Sequence, residues 1–186
     1  MGIFVRAYYG VFRAIERALG GWFLGVAARF VFAGVLFVFF WKSALTKVGS
    51  GLIGFFTPAV GAYAQILPKQ MEAAGFDPTK LTQLEHVVVY AGTYAEFLLP
   101  ILIVVGLFTR AAALGMIVFV AVMTYTDIAG HGVAVGMLFD GRQDAILDQR
   151  VLWLFPLVYL MLRGPGAISL DRLFGRRFIY DGRHYE

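Results

Sequence analysis

The run Trp22 to Trp41, WFLGVAARFVFAGVLFVFFW, is 20 residues long and interrupted by one charge, Arg29. A helix of that length rises about 30 Å, the thickness of a bilayer's hydrocarbon core. In water such a segment would have to bury every face at once, so it constrains the fold more than any other feature. Two further runs repeat the pattern. Val87 to Phe108 contains Glu96, and Ala111 to Ala129 is uncharged as far as Asp127. A fourth, Val151 to Leu162, has 12 residues and reaches only about 18 Å. Extended back to Ala145 it attains spanning length, with Asp148 and Arg150 inside the membrane edge. The sequence thus predicts an all-α integral membrane four-helix bundle.

Composition agrees. The 186 residues are 60% hydrophobic and 15% charged, against about a quarter charged in soluble domains. A soluble globular domain, a disordered chain and a coiled coil are excluded, and the length suits one small domain. Zero cysteines remove disulfides, iron–sulfur ligation, thiolate zinc and any CxxC redox pair. The net charge of +4 is too scattered to point to nucleic acid.

Residues 1–21 read as an interfacial amphipathic helix rather than a signal peptide. Phe4, Tyr8, Val11, Phe12, Ile15 and Leu19 recur at three- to four-residue spacing between Arg6, Arg13 and Arg17, an apolar stripe flanked by basic residues. Residues 22–174 form the four-span domain, and 175–186 a basic tail. Within the first long connection, 52–56 and 62–67 are apolar pieces too short to span. Broken by Pro58 and Pro68, they predict short interfacial or re-entrant helices. Thr82 and Glu85 have capping-box spacing at the start of the second span.

Lys and Arg placement sets the expected orientation. Four spans put Arg6, Arg13, Arg17, Arg110, Arg163, Arg172, Arg176, Arg177 and Arg183 on one side. Lys42, Lys47, Lys69, Lys80, Arg142 and Arg150 fall on the other, offset by Glu72, Asp77, Glu85, Asp140, Asp144 and Asp148. Both termini are therefore expected in the cytoplasm.

Ionisable residues at membrane depth need a partner or a function. Arg29 lies on a stripe of small residues with Gly21, Gly25 and Ala33, and Glu96 follows Ala91, Gly92 and Ala95. Such stripes let helices approach closely, within one bundle or between copies in a homo-oligomer. An Arg29–Glu96 pair is expected, with Pro100 freeing the carbonyl of residue 96. The same pair serves a purely structural reading, as a device that sets helix register.

Asp127 and His131, four apart and with Thr124 nearby, are expected to hydrogen-bond at the outer end of the third span. Asp148 and Arg150 would close the mouth of this polar site. A His–carboxylate pair at this position can orient a metal ligand or relay protons to a quinone headgroup, or simply end the helix beside Gly130 and Gly132; His131 and Glu96 are the candidate contacts for a quinone. A bis-histidine haem on His86 and His131 is the alternative, since two axial ligands are what such a site requires; His184 lies in the tail. The sequence contains no GxGxxG, P-loop, HExxH or GxSxG, so no catalytic residue and no metal site are assigned.

The order of these pieces resembles the DoxX family of small four-helix bacterial membrane proteins. It runs from an arginine on a Gly/Ala-rich first span and SALTKVG to AEFLLPILIVVGLFTRAAAL. An outer-end histidine, DQRVLW and RGPGAISLDRL follow. The similarity covers roughly residues 22–174. Its most specific parts are Ala95-Glu96, Gly106 to Arg110, Gly164-Pro165-Gly166 and Ser169-Leu170-Asp171. It implies an inner-membrane subunit, accessory to or quinone-contacting within an oxidoreductase assembly, with other membrane or soluble redox subunits as partners. Longer connections make this chain a larger variant of that pattern. The rival expectation is a non-enzymatic structural subunit or a small-molecule permease.

Overall fold

The computed structural model describes residues 2–139 and 145–181, with backbone alone at 52, 53 and 176–181. Asp140, Arg142 and Asp144 of the outer charge count, and Arg183 and His184 of the tail, lie outside the described residues. The side chains of Arg176 and Arg177 do too. Among the described residues the chain is helical without strands. Helix α1 is Gly2–Leu19 and α2 is Phe23–Leu45. Three short helices follow, α3 (Gly51–Phe55), α4 (Val60–Ile66) and α5 (Pro68–Ala73). Then come α6 (Gln83–Val105), α7 (Thr109–Gly130), α8 (Ile146–Arg163) and α9 (Leu170–Asp181).

Helices α2, α6 and α7 are long and apolar enough to cross a membrane, the character of a membrane protein. Helix α8 packs with them but carries Asp148, Arg150 and Arg163 in its 18 residues. One apolar core joins the four. Phe32, Leu36 and Phe40 come from α2, Ile103 from α6, Ala113, Met116 and Val120 from α7, and Leu157 and Leu160 from α8. The α2 residues lie four apart, a spacing that drifts by about 40° per step around an α-helix. A π-helical segment at Phe32–Phe37 interrupts α2 there, and its wider turns hold all three on the core face.

The outward faces are apolar as well. Phe30, Leu98, Val118, Leu152 and Phe155 are all more than half exposed. An aqueous monomer would not display a continuous apolar belt of this kind; a hydrocarbon surround makes it the stable outer layer.

The first long connection folds back over one end of this core. Helices α4 and α5 bury Ala62, Tyr63 and Met71 against Val89 of α6, forming a second, smaller core. Thr82 accepts from the Glu85 N–H while the Glu85 carboxylate accepts from the Thr82 N–H, so the predicted capping box opens α6. Helix α1 contributes nothing to either core, and every residue from Gly2 to Ala18 is exposed. Residues 175–181, read from sequence as the start of a tail, continue α9 as helix.

At the opposite end a compact backbone knot ties the long helices together. Gly25 of α2 lies against residues 165 and 166, where an added Cβ would meet Gly166 N at 2.5 Å and Gly166 Cα at 2.7 Å. The Gly21/Gly25 stripe therefore includes a packing position within one chain. Gly25→Ala should lower the unfolding midpoint in detergent by the equivalent of about 1–3 kcal/mol, the usual cost of overpacking. Gly34→Ala should leave it unchanged or raise it, because nothing lies within 4 Å of its added methyl and alanine is the better helix former.

Candidate functional site

Arg29 does not pair with Glu96. Its guanidinium reaches the carboxyl end of α6, where Nε donates to Ile103 O at 3.0 Å and Nη2 donates to Val104 O. Nη1 donates to Pro165 O at 3.4 Å and to Ile168 O. The last carbonyls of a helix have no intrahelical donor and carry the negative end of its dipole. A five-donor planar cation answers several of them at once, which one distant carboxylate could not match. Glu96 lies seven residues before Ile103, about 10 Å away along the axis.

Around this arginine the chain turns twice. Gly106 ends α6 in the left-handed region (φ 72°), and an added Cβ there would meet Ser169 Cβ at 2.7 Å and Arg29 Cζ at 2.9 Å. Phe108, also left-handed at φ 48°, precedes α7. Asp171 holds this strained turn. Its carboxylate accepts from the N–H groups of Phe108 (2.6 Å) and Thr109 (2.8 Å), and its own N–H donates to Gly106 O at 2.8 Å. Residues 106–109 and 164–171 thus meet here in a structural role. A hollow of about 620 Å³ borders this knot, but the Arg29 donors beside it are already directed at carbonyls.

Glu96 instead meets Lys47. The two are 1% and 7% exposed, with Nζ 2.7 Å from Oε2. The approach is off the hydrogen-bond axis, so this is an ion pair without an aligned hydrogen bond, while Nζ donates to Ser43 Oγ at 2.8 Å. Lys47 stands two residues past α2, where Ala59 N–H donates to its carbonyl at 2.8 Å and Val48 bridges Pro58. This closed loop turns the lysine back into the helix packing. Charge counting from sequence places Lys47 in the outer loop; the one signal for its burial is Ser43, four residues earlier on the same helical face.

Asp127 and His131 do not bond to each other either. The Asp127 carboxylate accepts from Arg150 Nη2 at 2.8 Å, and His131 Nε2 contacts Gln65 O at 3.0 Å. The physical reason is a second π-helical segment, Thr126–Gly130, whose wider turns rotate residue 131 off the position an α-helix would give it. Arg150, 9% exposed, also stacks on the Trp153 ring at 4.4 Å, a favourable cation–π geometry. Arg150 is therefore an internal counter-ion and not a gate at the mouth.

These side chains share one cavity of about 550 Å³ between α2, α6, α7 and α8, roofed by α4. Glu96, Asp127, His131 and Arg150 line it, as predicted residues brought together; Lys47, Ser43 and Gln65 join them as residues the sequence reading missed. Arg29 and Asp148 are not among its lining residues. His86 is not either: its Nδ1 pairs with Tyr63 Oη at 2.9 Å under α4. Burial raises the Tyr63 phenol above its ordinary range, keeping it the protonated donor of that bond. The cavity does not unite His86 with His131, so the haem alternative gains no common chamber.

The rest of the wall is apolar or small. Ala91, Gly92 and Ala95 on α6 face Gly115, Val118 and Val122 on α7. Val118 and Val122 are 55% and 58% exposed on the outer belt, so the cavity wall continues onto the face turned to hydrocarbon. Inside, two cations and two carboxylates balance. No protein family, curated protein or solved structure matches the chain.

The Lys47–Glu96 pair predicts a specific double-mutant cycle. Lys47→Met or Glu96→Gln alone should destabilise the detergent-solubilised protein by about 3–5 kcal/mol, by stranding a buried charge or breaking its pair. Lys47→Met with Glu96→Met should recover most of that loss. Arg29→Leu and Glu96→Gln should combine additively, as groups that do not touch.

Proposed function

We propose that the protein is a four-span membrane subunit that binds a lipid-soluble small molecule in the cavity around Glu96, and that the ligand is of the quinone class. The observation that carries this reading is the cavity's double character. One wall is continuous with the hydrocarbon-facing belt through Val118 and Val122, while the interior presents Lys47, Glu96, Asp127, His131 and Arg150. A molecule with an apolar tail and a polar ring head matches both parts. Its size falls within the range of small-molecule sites, about 300–1,000 Å³.

In this reading α8 is the fourth span, and its charges are tolerated because Arg150 turns inward to Asp127. Helix α1, basic and apolar on opposite sides, lies along the cytoplasmic surface of a bacterial inner membrane. The resemblance to the DoxX family supports placing the chain in a quinone-linked oxidoreductase assembly. There it acts as an accessory or quinone-contacting subunit, with the electron-transferring centre on a partner. A scaffold or permease without such a ligand is the rival.

Thermal unfolding of the purified protein separates the two readings. A short-tailed benzoquinone or its quinol at a hundred times its Kd should stabilise the fold by about 2.7 kcal/mol. Ala95→Leu, which puts three carbons into the chamber, should fold and lose that response. A scaffold would show no ligand response in either form. Topology is tested separately: reporters inserted at Gln70 should read outside and those after Leu173 cytoplasmic.

A further inference from the structure

We infer that the hollow beside Arg29 and Arg172, at the opposite end of the bundle from the Glu96 chamber, binds the headgroup end of an anionic phospholipid. The inference does not depend on what occupies the chamber. The hollow measures about 620 Å³, and Arg29, Val105, Ile168, Ser169, Arg172 and Leu173 are among its lining residues.

Charge comes first. Arg29 directs its donors at four backbone carbonyls. Carbonyls are neutral, so the groups it touches do not cancel its positive charge. Its Nη1 bond to Ile168 O lies at the exposed surface. Arg172 is exposed, and among the described residues its guanidinium has no hydrogen-bond or ion-pair partner. The two arginines are anchored side by side. An added Cβ at Gly106 would stand 2.9 Å from Arg29 Cζ and 2.7 Å from Ser169 Cβ, and Ser169 Oγ accepts the Arg172 N–H at 3.2 Å. The carboxylate of this knot, Asp171, is engaged by the Phe108 and Thr109 N–H groups and is not among the lining residues.

The rest of the lining says which anion fits. Val105, Ile168 and Leu173 are 39%, 68% and 56% exposed, and Val105 is the last residue of the α6 span. A soluble phosphate would leave these side chains uncovered. A phospholipid uses both parts, with its phosphate against Arg172 and its acyl chains over the apolar residues. A guanidinium meets phosphate oxygens with paired, charge-assisted hydrogen bonds. Arg29, with its donors committed, contributes through its charge. A choline headgroup would set a cation beside the same two arginines, whereas a glycerol headgroup adds none.

The test titrates the full chain, purified in an uncharged detergent and stripped of bound lipid. The probes are short-chain phosphatidylglycerol, phosphatidylcholine of the same chain length, and glycerol phosphate. Phosphatidylglycerol should bind at least about tenfold tighter than phosphatidylcholine, and glycerol phosphate at the same concentration should not displace it. Arg172→Gln should cost about tenfold in phosphatidylglycerol affinity, the loss of a charge-assisted contact. Arg13→Gln, which removes the same charge from the exposed α1 helix, should cost about twofold or less. Both positions are exposed, and the backbone N–H of residue 172 is kept, so both variants should unfold at the native temperature without lipid. Equal binding of the two lipids would overturn the inference. Equal losses in the two variants would overturn it too, by assigning the binding to diffuse surface charge. Displacement by glycerol phosphate would overturn the lipid assignment in favour of a soluble phosphate ester.

Discussion

A charge placed among apolar helices has to be answered by groups within a few ångströms, because neither hydrocarbon nor packed side chains will screen it. That constraint organises both ends of this molecule. Arg29 is answered by carbonyl oxygens, Glu96 by Lys47 and Asp127 by Arg150. Each answer comes from a different helix or loop, so each also fixes how two elements lie together. The helix packing is specified by its few charges as much as by its many apolar contacts.

The two ends use the same physics to opposite effect. At the Arg29 end the donors and acceptors are matched to backbone. The guanidinium covers the α6 terminus, Asp171 covers the α7 N–H groups, and glycines at 25, 106 and 166 allow the close approach. This region is locked. At the Glu96 end small residues on α6 and α7 leave a chamber instead of a contact, lined by the Lys47–Glu96 and Arg150–Asp127 pairs. A close-packed region and a hollow one are thus about 10 Å apart along α6.

The short helices of the first long connection close one end of the chamber. Tyr63 of α4 packs under His86, and the Gln65 carbonyl on the same helix meets His131. Two residues apart on one short helix, these contacts anchor α4 to α6 and to the end of α7. The roof of the cavity is therefore fastened by histidines, which ties the placement of the lid to the same residues that sequence inspection singles out as ligands.

Much of this architecture is legible without coordinates. The long apolar runs, the amphipathic α1, the short helices near 52–56 and 62–67 and the capping box at Thr82 all follow from spacing within a few turns, and local backbone geometry converts that spacing directly into structure. The sequence also determines that Glu96, Asp127, His131 and Arg150 are anomalous at their depth, since the cost of burying charge depends on residue type. What it does not determine is who answers whom. The Arg29–Glu96 and Asp127–His131 pairings assume ideal helices and partners of opposite charge. Tertiary structure supplied competitors invisible to composition: the carbonyls at the end of α6, a lysine returned inward by the closed loop at Ala59, and a π-helical turn that swings His131 toward Gln65. Side-chain pairing is decided by distances between elements far apart in the chain, and those distances exist only once the helices have packed.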